Sequence, residues 1–242
     1  MNNYILITGA SRGIGKAIAL KFARHGHNIV ILSSKSEDSL ENVKKDILSY
    51  HVDCKSFTVD VSDFSQIQTM KNSLAGYDID IDCIINNAGI SYFGLIQDMS
   101  IEDWHKTIDT NLSSVFYTTK VFLDDMIRKG SGCIINISSV FGIIGASCEV
   151  AYSASKGGLN AFTKALAKEV APSNIRVNSI SCGAIHTSMN GRLSSDEISE
   201  LENEIPFGRM GTCEEVAELA YSIFHMNPYM TGQVISIDGG WT

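Results

Sequence analysis

The chain has 242 residues, of which 44% are hydrophobic and 19% charged, the mix of an ordinary globular protein rather than a disordered, collagen-like or coiled-coil chain. Its formal net charge is −8, from 19 basic and 27 acidic residues, which argues against nucleic acid or anionic lipid as partners because both need clustered Lys and Arg. The N-terminal MNNYILITGAS has no basic leader and no long apolar run, and nothing along the chain nears the length of a membrane helix. The six cysteines, at 54, 83, 133, 148, 182 and 213, form no CxxC and no Cys/His cluster. No metal site and no disulfide scaffold are expected, and the thiols read as reduced, in a cytoplasmic protein.

Seven short apolar, β-branched runs recur along the chain: Tyr4–Thr8, Asn28–Leu32, Ser56–Val59, Ile81–Ile85, Cys133–Ile137, Val177–Ile180 and Val234–Ile237. With little polar alternation, they read as strands buried on both faces. Helical spacing fills the intervals, over Gly15–His25, Leu40–Tyr50, Ile67–Leu74, Trp104–Arg128, Tyr152–Val170 and Glu214–Phe224. Strand alternating with helix implies an α/β fold: a single Rossmann-like, doubly wound domain over residues 1–242, with a parallel sheet of about seven strands covered by helices on both faces. Only three prolines occur and no linker divides the chain. The connection 184–205 carries no strong strand signal and is expected to be a substrate loop or lid.

The first run leads directly into Thr8-Gly9-Ala10-Ser11-Arg12-Gly13-Ile14-Gly15. Glycines at 9, 13 and 15 permit a tight turn and close approach to a pyrophosphate, at which the next helix aims its free N–H groups. Gly9–Gly13 also fits GxSxG, the nucleophile elbow of α/β-hydrolases, with Ser11 as nucleophile and His186 or His225 as base. Gly15 is surplus for an elbow and needed for a dinucleotide turn. Sites preferring NAD place a carboxylate about twenty residues further on. Here Ser33, Ser34 and Lys35 stand at that place, so Lys35 and Arg12 with the two serines suit the extra phosphate of NADP(H) over NAD(H).

Tyr152-Ser153-Ala154-Ser155-Lys156 opens a helical segment, and the i, i+4 spacing puts Tyr152 and Lys156 on one face. A free phenol has a pKa of about 10. A neighbouring ammonium favours the phenolate, giving a general acid for a ketone becoming an alcohol. Ser139 ends a predicted strand upstream, where a hydroxyl can polarise the same carbonyl.

Together these residues resemble the short-chain dehydrogenase/reductase family over nearly the whole chain. The resemblance rests on Thr8–Gly15, Asp60-Val61, Asn86-Asn87-Ala88-Gly89, Asn111, Ser138-Ser139, Tyr152 with Lys156, and Gly232 with Asp238-Gly239-Gly240. It implies that Tyr152 is the acid/base, that Lys156 lowers its pKa and holds the nicotinamide ribose, that Ser139 orients the carbonyl, and that Asn111 supports a proton relay. It also implies cofactor contacts from Gly9, Ser11, Arg12, Gly13, Ile14 and Gly15, from Asp60 and Val61 at the adenine, from Asn87, Ala88 and Gly89, and from Gly183, Ile185 and Thr187. A homotetramer or homodimer is implied as well. One departure stands out: Cys182-Gly183 replaces the family's frequent Pro-Gly, leaving the start of the 184–205 loop freer. A buried, inert thiol is the expected state of Cys182.

The whole-chain pattern is most similar to 3-oxoacyl-acyl-carrier-protein reductases. Several substrate-side segments, including Gly94–Asp98, Gly145–Val150 and Cys182–Ile185, resemble instead the 5-aminopentanone reductases that act on modified elongation factor P. An acidic carrier protein would need a basic docking patch, to which Arg128-Lys129 contribute. Glu149, just before the catalytic helix, is a candidate to attract an amine-bearing substrate, or else a helix-N-terminal glutamate favoured by the macrodipole. Tyr92, Phe93, Phe141, Ile143 and Met189 are candidate pocket walls. A non-catalytic, nucleotide-binding sensor or scaffold is the alternative of another class.

Overall fold

All seven apolar runs become strands of one parallel sheet in the computed structural model, which describes residues 2–34, 37–77, 79–191 and 193–242. The strands are β1 (Asn2–Thr8), β2 (Asn28–Ser33), β3 (Cys54–Thr58), β4 (Ile79–Asn86), β5 (Gly132–Ser139), β6 (Ile175–Cys182) and β7 (Val234–Ile237). Their order is β3-β2-β1-β4-β5-β6-β7, and every pairing is parallel. From β1 the chain winds outward to β3, then returns to the other side of β1 with β4. That reversal is the switch point where open α/β sheets bind ligands.

The crossovers are helical: α1 (Gly13–Arg24), α2 (Glu37–Leu48), α3 (Phe64–Ala75), α4 (Ile101–Ile108), α5 (Ser114–Lys129), α6 (Phe141–Ile144), α7 (Val150–Val170), α8 (Ser195–Glu204) and α9 (Cys213–His225). Successive strand residues face opposite sides, so β1 feeds two cores. Ile5 and Ile7 join Ile18, Phe22, Val43, Ile47, Val216 and Ala220 beneath α1, α2 and α9. Tyr4 and Leu6 join Ile67, Met70, Phe122, Met126 and Leu166 beneath α3, α5 and α7.

Three expectations are corrected. Burial on both faces holds for the central strands, whereas β3 and β7 are the sheet edges and carry half-exposed or exposed residues. The helix expected over 104–128 starts earlier, at Ile101, and is interrupted by a π-turn at Asp109–Ser113. The 184–205 connection is not all loop. Its second half forms α8, started by a capping box in which Ser194 and Glu197 satisfy each other's backbone N–H groups. The six cysteines are all free, and Cys54, Cys83, Cys133 and Cys182 are buried. Among the described residues no group of three or more His, Cys, Asp or Glu is placed to hold a metal, and no helix is long and apolar enough to cross a membrane.

Candidate active site

The C-terminal ends of β1, β4, β5 and β6 bring the predicted residues together. At β1 the chain turns through Gly9 (φ 65°) and Gly13 (φ 56°), a left-handed conformation that L side chains rarely adopt. Space is as tight as the backbone. A Cβ on Gly15 would lie 2.4 Å from the Gly9 carbonyl oxygen and 2.5 Å from Asn87 Nδ2, and one on Gly9 would lie 2.9 Å from Ala88 Cα. Asn87 stitches the turn to β4: its Nδ2 donates to the carbonyls of Thr8 (2.9 Å) and Gly9 (3.1 Å). The Thr8 hydroxyl accepts the N–H groups of Asn87 (3.0 Å) and Ala88 (2.9 Å).

Helix α1 starts at this turn with its amides uncapped. Arg12 stands at the N-cap with extended backbone (φ −164°), no side chain caps the helix, and its first turn carries no acid. A positive helix end without its own anion suits a pyrophosphate. Ile14 follows on α1, and Thr187 closes over the turn, its Cγ2 lying 3.7 Å from where a Gly13 Cβ would be. Ser33 is buried at the end of β2 and donates to Ser11 Oγ at 3.1 Å, while Ser34 and Arg12 are exposed. Lys35 lies outside the described residues. Asp60 is exposed, its carboxylate accepting from the Ser62 N–H and hydroxyl, and Val61 beside it is buried.

Behind the turn, Asn111, Ser139, Tyr152 and Lys156 converge. Asn111 is fully buried in the π-turn. Its side chain pairs with both backbone groups of Ile90 (each 2.8 Å) and donates to Ser155 Oγ at 3.0 Å. The π-turn thus aims an amide across at α7, a use typical of such bulges. Lys156 Nζ donates to the Ile137 carbonyl at 2.8 Å and sits 5.7 Å from the Tyr152 ring centroid. Gly89 borders it: a Cβ there would lie 3.6 Å from Nζ. Ser139, at the last position of β5, accepts the Phe141 N–H at 3.2 Å.

The electrostatics differ from expectation. Lys156 was expected to lower the phenol's pKa, yet burial holds Tyr152 above its ordinary value, opposed by a hydrogen bond with Ser139. The reason is that burial disfavours both charged forms. It pulls Lys156 down to about 8. Cys182 itself is buried and pushed up to about 12, an inert thiol as expected. Its neighbour Gly183 packs against Asp238, where a Cβ would fall 2.7 Å from the aspartate's Cβ, and its N–H donates to the Ile237 carbonyl. Ile185 is buried and bridges to Gly211, fixing the path of the chain toward Thr187.

A family model described as short chain dehydrogenase matches residues 3–198. The chain belongs to the short-chain dehydrogenase family. It is 36% identical to an uncharacterised oxidoreductase, YmfI, of Bacillus subtilis, over 100% of this chain and 99% of that protein. It is 40% identical to a 3-oxoacyl-acyl-carrier-protein reductase of Chlamydia muridarum, over 99% of this chain and 97% of that one. Among solved structures, a short-chain type dehydrogenase/reductase from Mycobacterium marinum superposes with a TM-score of 0.93 at 36% identity, covering 99% of this chain and 95% of that one.

The elbow alternative finds no support in the geometry. Ser11 takes its hydrogen bond from Ser33, while His225 stacks against Tyr221 and Phe224 at the far end of α9. Glu149 is at the N-cap of α7 and buried, with the Ser91 hydroxyl donating to it at 2.7 Å. Of the expected pocket walls, Phe93, Ile143 and Met189 are exposed, and Tyr92 and Phe141 are half-buried. Sequence reasoning missed the buried ladder behind the site. Asn86 Nδ2 donates to Asn136 Oδ1, Asn136 Nδ2 to Thr163 Oγ1, and Thr163 Oγ1 to the Leu159 carbonyl, each at 2.9 Å. It ties β4 and β5 to α7, and its sequence signals are Asn86 directly after the fourth run and an asparagine inside the apolar run Cys133–Ile137.

Proposed function

We propose that the protein is an NADPH-dependent carbonyl reductase that converts a ketone to a secondary alcohol, with Tyr152 as general acid. The observation that carries this reading is the convergence of Ser139, Tyr152 and Lys156 beside a glycine turn too tight for side chains. That cradle, the uncapped start of α1 and the Thr187 side chain suit a dinucleotide. Gly9, Ser11, Arg12, Gly13, Ile14 and Gly15 would hold its phosphates, Asp60 and Val61 its adenine, and Asn87 to Gly89, Gly183, Ile185 and Thr187 its nicotinamide half. When bound, the reduced cofactor supplies the hydride. The chain's own residues manage the proton. Ser139 donates a hydrogen bond to the carbonyl oxygen, Tyr152 gives that oxygen its proton, and the Lys156 ammonium stabilises the phenolate left behind. Asn111 and the Lys156 amine line a polar path for reprotonation.

NADP(H) is the proposed cofactor because Ser33 and Ser34 stand where an NAD site has a carboxylate, with exposed Arg12 next to the Ser11 that Ser33 bonds. Arg12→Ala is expected to narrow the preference for NADPH over NADH about tenfold, the worth of one charge-assisted hydrogen bond. Comparing kcat/KM for both cofactors checks this, and an unchanged ratio assigns Arg12 to solvent.

The proposed substrate is a 3-oxoacyl thioester on an acyl carrier protein, as the name of the Chlamydia relative has it, in a cytoplasmic setting. A homodimer or homotetramer is proposed through α7, α5 and the π-turn before it, where Leu112, Phe116, Tyr117, Gly158 and Phe162 line an apolar groove and Phe116 is 48% exposed.

A second reading, a 5-aminopentanone carried on elongation factor P, has Glu149 in its favour. This carboxylate is only 8% exposed and sits at the N-cap of α7, three residues before Tyr152, with the Ser91 hydroxyl donating to it. Under this reading Glu149→Gln raises KM for an amino-ketone about tenfold and spares neutral ketones, the loss expected of one charged contact. Equal effects on both substrates remove it.

A further inference from the structure

The segment after β7 runs back to Phe141, two residues beyond Ser139. Asp238 follows β7 and ties the tail into a compact hook. Its carboxylate accepts the Gly240 N–H (3.0 Å), the Thr242 N–H (3.2 Å) and the Thr242 hydroxyl (2.8 Å). The hook is seated by Gly183, which packs against Asp238 without room for a Cβ. It presents Trp241, whose ring lies 5.7 Å from that of Phe141 at an interplanar angle of 59°. Phe141 opens α6, and its N–H is the donor to Ser139 Oγ. On the other side of α6, Gly142 is pressed onto the backbone of Lys156, 2.5 Å from where its Cβ would be. Helix α6 is only four residues long, far too short to hold its own geometry, so its neighbours hold it: these two, the Cys182 carbonyl that accepts the Val140 N–H at 3.0 Å, and Asn160, which donates to the Gly142 carbonyl at 3.4 Å.

We propose that Trp241 is a positioning residue for Ser139, in the reduction proposed above. Its indole fixes Phe141, and the Phe141 N–H fixes the serine oxygen. With that oxygen already accepting a hydrogen bond, the serine proton is left to point toward the phenol and carbonyl, and its donor strength rises because successive hydrogen bonds polarise one another. Without the indole, α6 shifts and the hydroxyl loses its fixed direction. Ångström-scale misplacement of such a donor is costly because it works by preorganisation.

A double-mutant cycle with NADPH and an activated ketone tests this. Trp241→Ala is expected to lower kcat about tenfold and leave KM for NADPH unchanged, a coupling typical of residues in one network. In a Ser139→Ala background the same change adds no further loss, because no hydroxyl remains to be aimed. Trp241→Phe keeps a ring against Phe141 and recovers most of the rate. If Trp241→Ala does not fold, Phe141→Leu replaces it in the cycle, since it removes the ring and keeps the N–H. Equal losses with and without Ser139, or no recovery in Trp241→Phe, overturn the positioning role while the reductase stands. A parent protein inert toward every ketone overturns both.

Discussion

Tyr152→Phe is expected to lower kcat for ketone reduction by at least about a thousandfold, since it removes the proton donor and one of the groups stabilising the transition state. Cofactor affinity is expected to stay within about threefold, because a phenylalanine fills the same space and the hydroxyl contributes one neutral hydrogen bond at most. The pH profile separates this role from packing. Burial keeps Tyr152 protonated above its ordinary range, so loss of the phenol proton does not limit reduction near neutral pH. Lys156 titrates first, at about 8. Below that pH the amine is an ammonium and steadies the emerging phenolate; above it the charge is gone. The reduction rate is therefore expected to fall as pH rises through about 8, and that fall is expected to vanish in Lys156→Met along with most of the activity. A rate that climbs with pH across this window would assign the proton to another group.

Gly15→Ala is the second large effect, and its sign runs against helix propensity. Alanine in a helix is ordinarily favoured over glycine by about 1 kcal/mol. Here the added methyl would meet the Gly9 carbonyl oxygen at 2.4 Å, Asn87 Nδ2 at 2.5 Å and Ala10 Cα at 3.0 Å. Two of these are backbone, and the third is the amide that stitches β1 to β4. Relief requires opening the turn, with a net cost of about 1–3 kcal/mol as for other overpacked sites. Because the turn is also the proposed phosphate cradle, NADPH affinity is expected to fall about a hundredfold, the loss of about two charge-assisted hydrogen bonds to backbone amides. Thermal unfolding with and without NADPH reads both quantities. An unchanged melting temperature together with unchanged cofactor affinity would remove the turn from the site.

The strands were legible in the sequence because a sheet covered on both faces writes itself as unbroken apolar runs. The same signal overstates burial at the two edges, β3 and β7, since a run of β-branched residues cannot tell which strand will be outermost. The meeting of the glycine turn, Ser139, Tyr152 and Lys156 at one end of the sheet was legible as well, because each stands at a fixed spacing on a local element. The π-turn was not. Its register is set by Asn111 reaching across to both backbone groups of Ile90, a tertiary contact that no periodicity in 104–128 records. Helix α8 carried a readable mark, Ser194 three residues before Glu197, within a segment otherwise read as loop. The direction of the Tyr152 shift was hidden because a short spacing to lysine says nothing of how deeply both groups are buried. The hook of Asp238 and Trp241 was hidden for a similar reason: its partner, Phe141, lies a hundred residues away in sequence.

Carbonyl reduction by NADPH through Tyr152 is tested most directly by the absorbance of the reduced nicotinamide with an acetoacetyl thioester, beside elongation factor P carrying the 5-aminopentanone group, for the parent chain and Tyr152→Phe. Consumption of NADPH by the parent with the thioester, abolished in the variant, is the predicted result. Turnover of the modified elongation factor alone would keep the chemistry and move the substrate to the second reading. Tight NADPH binding with no turnover of any ketone, or turnover that survives in Tyr152→Phe, would contradict the claim, the former pointing to a nucleotide sensor and the latter to a different proton donor.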